Sequence, residues 1–93
     1  MKLPIKYSQA DWKTRRKARL AYIEKQDGKC AYCDCPLDGP PDGEINAIPI
    51  NKNLFPENFF ENPIHLHHDH NTDLTIGAVH ARCNAYLWEY LGE

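Results

Sequence analysis

Cys30-Ala31-Tyr32-Cys33 and His80-Ala81-Arg82-Cys83 repeat one spacing at two distant points of the chain. Thiolate and imidazole are the side chains zinc prefers, and two of them separated by two residues reach one ion from a single bend. Two such pairs supply the four ligands of a tetrahedral structural centre. The constraint is strong, because the region around residue 30 must then fold onto the region around residue 80. Cys35 follows the first pair closely and is the alternative to His80 as fourth ligand. A lone C-x-x-C also marks thioredoxin-like redox sites, but no βαβ pattern surrounds this one.

Ninety-three residues make one domain. A chain of this size buries only about 60 to 65% of its unfolded surface and often leans on a metal or a disulfide. The expected core is small: Trp12, Leu20, Ile23, Ile48, Ile50, Leu54, Phe55, Phe59, Phe60, Ile76, Val79, Leu87, Trp88 and Leu91. Four cysteines can form two disulfides, but Met1-Lys2-Leu3-Pro4 carries neither an apolar run nor a cleavage site, so reduced thiols in a cytoplasm are expected. No apolar run approaches the roughly 20 residues of a membrane span, and the expectation is a soluble protein with no membrane partner.

The net charge of −2 hides an asymmetry. Residues 1–29 carry nine Lys/Arg against three acids, a local +6, and residues 30–93 carry two against ten, a local −8. Positive charge gathered in one segment is the pattern of a surface that meets a polyanion. Ser8 with Asp11 resembles a capping box, and a helix from about Gln9 to Gln26 follows, closed by Asp27-Gly28. Lys13, Arg15, Arg16, Lys17 and Arg19 crowd its first half and are the candidate DNA-binding residues, suited to phosphate contacts.

Residues 36–63 hold six of the seven prolines and read as a structural loop, with Ala47–Ile50 as a short edge strand. Ile64 to His67 alternates as a strand, Asp69 to Asp73 is turn-like, and Leu74–Ile76 is a second strand ended by Gly77. Ala81 to Leu91, free of Gly and Pro, reads as a helix with Leu87 and Leu91 on one side. Strand, turn, strand and helix make a ββα unit.

With His80 assigned to zinc, four histidines remain: His65, His67, His68 and His70. Such a cluster beside Asp69 and Asn84 suggests a second, open metal site next to a free imidazole. That is the equipment of phosphodiester hydrolysis, in which a divalent cation stabilises developing charge and a histidine activates water.

These residues resemble the HNH, or ββα-metal (His-Me finger), nucleases, and most of all the recombination endonuclease VII branch. The resemblance rests on Gln26–Cys33 as the entry to a zinc knuckle, and on His67-His68-Asp69-His70-Asn71-Thr72 where D-H-x-H-x-T stands in the family. Gly77 and His80-Ala81-Arg82-Cys83-Asn84, at the place of C-x-x-C-N, complete it. Three positions depart from the pattern: His67 replaces the acid, His80 the first cysteine of the second pair, and Ile76 an arginine.

The resemblance implies a small α+β fold, a ββα-metal motif with a structural zinc knuckle and a basic N-terminal helix. Residues 1–93 would form a single nuclease domain, with 1–29 a basic helical arm and 30–93 the knuckle and core. It implies a metal-dependent DNA endonuclease or nickase of phage or bacterial type, in the cytoplasm of a bacterium or a phage-infected host. DNA would be its partner, and a packaging or recombination protein a further one. His68 would be the general base, and His67 and Asn84 would hold the catalytic cation. His70 would contact phosphate or assist the leaving group, and Asn71 is the candidate for the triad's central asparagine. Structural zinc would sit on Cys30, Cys33, His80 and Cys83. A neutral His67 should shift the catalytic preference from Mg²⁺ toward Mn²⁺, Ni²⁺ or Zn²⁺. The alternative is a zinc module that binds nucleic acid or a protein partner without catalysis.

Overall fold

The computed structural model describes residues 1–92. Its elements are α1 (Trp12–Lys25), α2 (Gly43–Ala47), β1 (Ile64–His68), β2 (Thr75–His80) and α3 (Ala81–Leu91), with short 3₁₀ turns at Tyr7–Gln9 and Lys52–Leu54. β1 and β2 pair antiparallel, from Ile64 opposite His80 to His67 opposite Gly77, with an irregularity between His67 and His68. The chain is a small α+β protein in which α1 and α3 both pack on this two-stranded sheet. Among the described residues no helix is long and apolar enough to cross a membrane.

α1 begins later than the capping-box reading places it. Asp11 is the N-cap and accepts from the Thr14 backbone N–H at 2.8 Å, the usual carboxylate cap of a free helix N-terminus. Ser8 is instead turned away, its hydroxyl donating to Asp73 at 2.6 Å. The helix buries Ala18 and Tyr22 and leaves Trp12 and Leu20 exposed. Its inner face is the row Arg15, Ala18, Tyr22 and Gln26, spaced by three and four residues, so helical position selected the core where side-chain hydropathy pointed elsewhere.

The buried cluster is Ala18, Tyr22, Cys30, Leu37, Ile45, Leu66, Ala78, Val79 and Cys83. Val79 and Leu87 are buried as expected, whereas Leu54, Ile76, Trp88 and Leu91 are exposed. Two thiols inside this cluster mean that the cysteine site and the core are one packing unit. The loop expected over residues 36–63 contains α2, capped by Asp42, and its Ile45 enters the core; Ala47, expected in an edge strand with Ile48–Ile50, is instead the last residue of α2, and residues 48–50 join no strand among the described residues. Arg82 ties this segment to α3 by donating to the Ile45 and Ile48 carbonyls.

Gly77 does not end β2 but lies in its middle. A Cβ there would come within 2.9 Å of both the Ala31 Cβ and Gln26 Oε1. Its lack of a side chain lets the 30–33 turn close on the sheet. The turn is held there by Ala31 N–H donating to Ala78 O at 3.0 Å. The Gln26 amide clamps the same strand residue, donating to Ala78 O and accepting from Ala78 N–H. α3 ends at Gly92, whose φ of 71° is the left-handed C-cap that glycine adopts readily.

Candidate metal centre and histidine cleft

The first thiol pair sits in a tight turn. Asp34 N–H donates to Cys30 O, Cys30 N–H donates to Cys35 O, and Asp34 takes a φ of 65° that lets the chain reverse. The second pair straddles the junction of β2 and α3, where His80 is the N-cap and Cys83 lies in the first helical turn. A thiolate there meets the positive end of the helix dipole.

One ligand atom from each of Cys30, Cys33, His80 and Cys83 lies within 4.8 Å of the others. Cys33 Sγ and Cys83 Sγ are 3.4 and 3.6 Å from His80 Nδ1. Zinc–sulfur bonds of about 2.3 Å and zinc–nitrogen bonds of about 2.0 Å put S and N about 3.5 Å apart at a tetrahedral angle, so both separations match edges of such a site. His80 Nε2 lies 2.9 Å from the Pro36 carbonyl. A carbonyl only accepts, so Nε2 carries the proton and the Nδ1 lone pair faces the sulfurs, the tautomer a metal-bound imidazole needs. A hydrogen bond from Cys83 holds the Cys30 thiol far below its usual range, and the same bond pushes Cys83 up. A cation bound at these sulfurs would take the place of their protons. The residues therefore fit zinc, with His80 and not Cys35 as the fourth member.

The remaining histidines are sorted by the sheet. A cleft of 490 Å³ lies between α1, β1, α3 and the 54–62 loop; Arg15, Arg19, His65, His68, His70, Asn84 and Trp88 are among its lining residues. His67, Asp69 and Asn71 line a separate cavity of 160 Å³, which His68 and His70 also reach. The structure therefore brings His68, His70 and Asn84 to one cleft, while His67, buried at 8% exposure, is not among the residues lining that cleft. Asn71 lies in the exposed hairpin turn, its backbone N–H donating to Asp69 Oδ1 at 2.7 Å.

His65 is the partner that sequence reasoning missed. Its Nε2 is 2.7 Å from the Phe59 carbonyl and its Nδ1 is 3.1 Å from Asn84 Nδ2. Burial lowers its pKa, so the ring is neutral with one proton. That proton belongs on Nε2 to meet Phe59 O, and Nδ1 accepts from the Asn84 amide. The Asn84 amide nitrogen is thereby turned toward His65. The only sequence signal was the alternation of β1, which puts His65 and His67 on one face without saying which meets α3 at Asn84.

Tyr7 was also missed. Backbone bonds from Tyr7 N–H to Asp73 O and from Thr75 N–H to Ile5 O lay residues 5–7 beside the hairpin. The Tyr7 ring stacks on His68 at 3.9 Å and 5° between planes, and His68 stacks on His70 at 4.7 Å and 7°. Arg15 covers Tyr7, its guanidinium carbon 3.9 Å from the ring centroid, and donates twice to the Tyr7 carbonyl. Burial is the first cause lowering the His68 pKa, the neighbouring His70 the second, and Asp73 opposes them. His68 is therefore neutral near pH 7.

The basic helix divides. Arg15 and Arg19, one turn apart, face the cleft; Lys13, Arg16 and Lys17 are exposed. Fold and site together define a small α+β domain with a Cys₃His site able to bind zinc and a histidine cleft beside it. Comparison with protein-family models, curated proteins and solved structures finds no match to this chain.

Proposed function

We propose that this protein is a zinc-stabilised, divalent-cation-dependent DNA endonuclease or nickase of the HNH type. The observation that carries the reading is that a neutral imidazole, His68, shares one cleft with the Asn84 amide and the Arg15 and Arg19 guanidiniums. The ββα order of β1, β2 and α3 around the cysteine site supports it further. A neutral histidine in this position takes a proton from water. Arg15 and Arg19 hold phosphate oxygens, and His70, stacked on His68, stands next to the leaving group. Asn84, oriented by His65, would hold the divalent cation, whose chemistry is to stabilise charge developing on the phosphate and leaving oxygen.

One observation favours a second reading, a zinc module that binds nucleic acid without cutting it. His67, which the resemblance assigns to the cation, lines a different cavity from Asn84. Nicking of supercoiled plasmid with Mg²⁺, Mn²⁺ or Ni²⁺ separates the two. The nuclease reading expects His68→Ala to lose about 10² to 10⁴ in rate, with zinc content and DNA affinity kept. Asn84→Ala should recover part of its activity at higher cation concentration. Wild type that cuts no DNA form with any of these cations leaves only the binding module, and His68→Ala that cuts as well as wild type removes His68 as the base.

A further inference from the structure

The lining of the cleft is of two chemical kinds. One is cationic, with Arg15 and Arg19, and none of the residues that line the cleft is a carboxylate. The other is aromatic, a wall of rings. Phe55 meets Phe59 at 4.6 Å and Trp88 edge-on at 5.5 Å, while Phe59 meets His65 edge-on at 4.5 Å. Trp88 remains 44% exposed, and Phe55 and Phe59 are half-buried. Because these rings touch by tilted and edge contacts, they do not cover one another face to face. An aromatic face beside a cationic rim matches the two halves of a nucleotide, a flat base and an anionic phosphate. The volume of 490 Å³ lies within the roughly 300 to 1,000 Å³ that holds a small molecule or a nucleotide unit. It is far too small for a duplex, whose base faces are in any case covered by their own stacking.

We propose that the Phe55–Trp88 wall takes an unstacked base, so that the segment of nucleic acid entering the cleft is single-stranded. The choice of a nucleic-acid occupant rests on the nuclease reading. The inference adds the class of substrate, a strand with bases free to leave their stack. Arg19 takes the phosphate flanking that base. Stacking tolerates every base, since each has a π face, so no sequence preference follows from this contact.

The test is binding, not cutting, and uses zinc-loaded protein in buffer without added divalent cation. The probes are a labelled 12-nucleotide single strand, the same sequence as a hairpin duplex, and a strand of equal length with abasic sites. The single strand should bind about tenfold or more tighter than either the duplex or the abasic strand, the weight of one base stack. Phe55→Leu, which keeps apolar volume, should lose that margin on the normal strand and change nothing on the abasic one. In a Trp12→Phe background, the fluorescence of Trp88 should be quenched by the normal strand only. Equal affinity for normal and abasic strands, a duplex bound as tightly as the single strand, or Phe55→Leu binding as wild type would overturn the proposal. Failure of the nuclease reading looks different: the strand binds with these signatures and no cation supports cleavage. Cleavage without the signatures removes the stacking wall alone.

Discussion

The Tyr7 ring lies 3.9 Å from the His68 imidazole and within 5° of parallel to it, although 61 positions separate the two residues. The contact covers one face of the ring that the proposed chemistry needs neutral. Burial lowers the His68 pKa from its ordinary 6.5, so the base form persists to lower pH. The acid limb of the rate profile for nicking should therefore have its midpoint below 6.5. Tyr7→Ala uncovers the ring and should move that midpoint up toward 6.5, while Tyr7→Phe keeps the stack and should leave it in place. The same sign applies to stability. His65 and His68 are both disfavoured as cations in the fold. The unfolded chain then binds protons more readily, and stability falls as pH drops below about 6.5, levelling off below the folded values. An acid limb centred above 6.5 in the wild type would contradict the assignment of His68 as the base.

Cys30 and Cys83 are 2% and 0% exposed and belong to the buried cluster itself. Removing a metal from these sulfurs takes away the link between the 30–33 turn and α3, and in small zinc proteins binding and folding are one equilibrium. Chelation should abolish the cooperative thermal transition, and readded zinc should restore it at one ion per chain. Cys35→Ser should keep that stoichiometry, because Cys35 lies outside the four-residue set. His80→Ala should lose it. A metal-free protein that melts cooperatively at the wild-type temperature would show that the core stands without the site.

Much of this centre could be read in the sequence, because two x-x spacings of good ligands leave few ways to arrange themselves. The spacing already favours His80 over Cys35, and the coordinates group His80 with the three other ligands, its imidazole tautomer set by the Pro36 carbonyl. The hairpin and α3 were readable from alternation and from an unbroken run of helix formers. The core of α1 was not, since Ala18 and Tyr22 are less apolar than the exposed Trp12 and Leu20, and only the partner surface reveals which face turns inward. Tyr7 and His65 were invisible for a related reason. Each acts through a contact set by where the N-terminal segment and α3 cross the sheet, and no local pattern encodes a crossing.

Gly77 offers a test of how closely the knuckle must approach the sheet. A methyl group at this position would press on Ala31 Cβ and Gln26 Oε1, both 2.9 Å away. Gln26 is bonded to the same strand residue on two sides, and Ala31 is tied to it through its backbone, so neither can yield without losing bonds. Gly77→Ala should cost about 1 to 3 kcal/mol, which for a domain this small lowers Tm by about 4 to 8 °C for each kcal/mol. Ala31→Gly in the same chain removes one of the two clashes and should recover part of the loss. Unchanged melting in Gly77→Ala would mean that the turn is free to lift off the strand.

The split of the basic helix gives the last prediction. Phosphate contacts act largely by releasing counterions, so each one lost flattens the dependence of log K on log salt by about 0.7 for a single strand and 0.9 for a duplex. Arg19 lines the cleft with Asn84 and His68, whereas Lys13, Arg16 and Lys17 face solvent. Arg15 is a poorer probe, because its guanidinium also carries the Tyr7 carbonyl and ring. Arg19→Ala should therefore weaken binding of any sequence alike and reduce the slope by about one contact. The combined replacement of Lys13, Arg16 and Lys17 by alanine should change the slope less than Arg19→Ala does, despite removing three charges. Fluorescence anisotropy across a salt series reads both. If the triple variant instead loses about three contacts and Arg19→Ala loses none, the strand lies along the outer face of α1, and the cleft is not where nucleic acid enters.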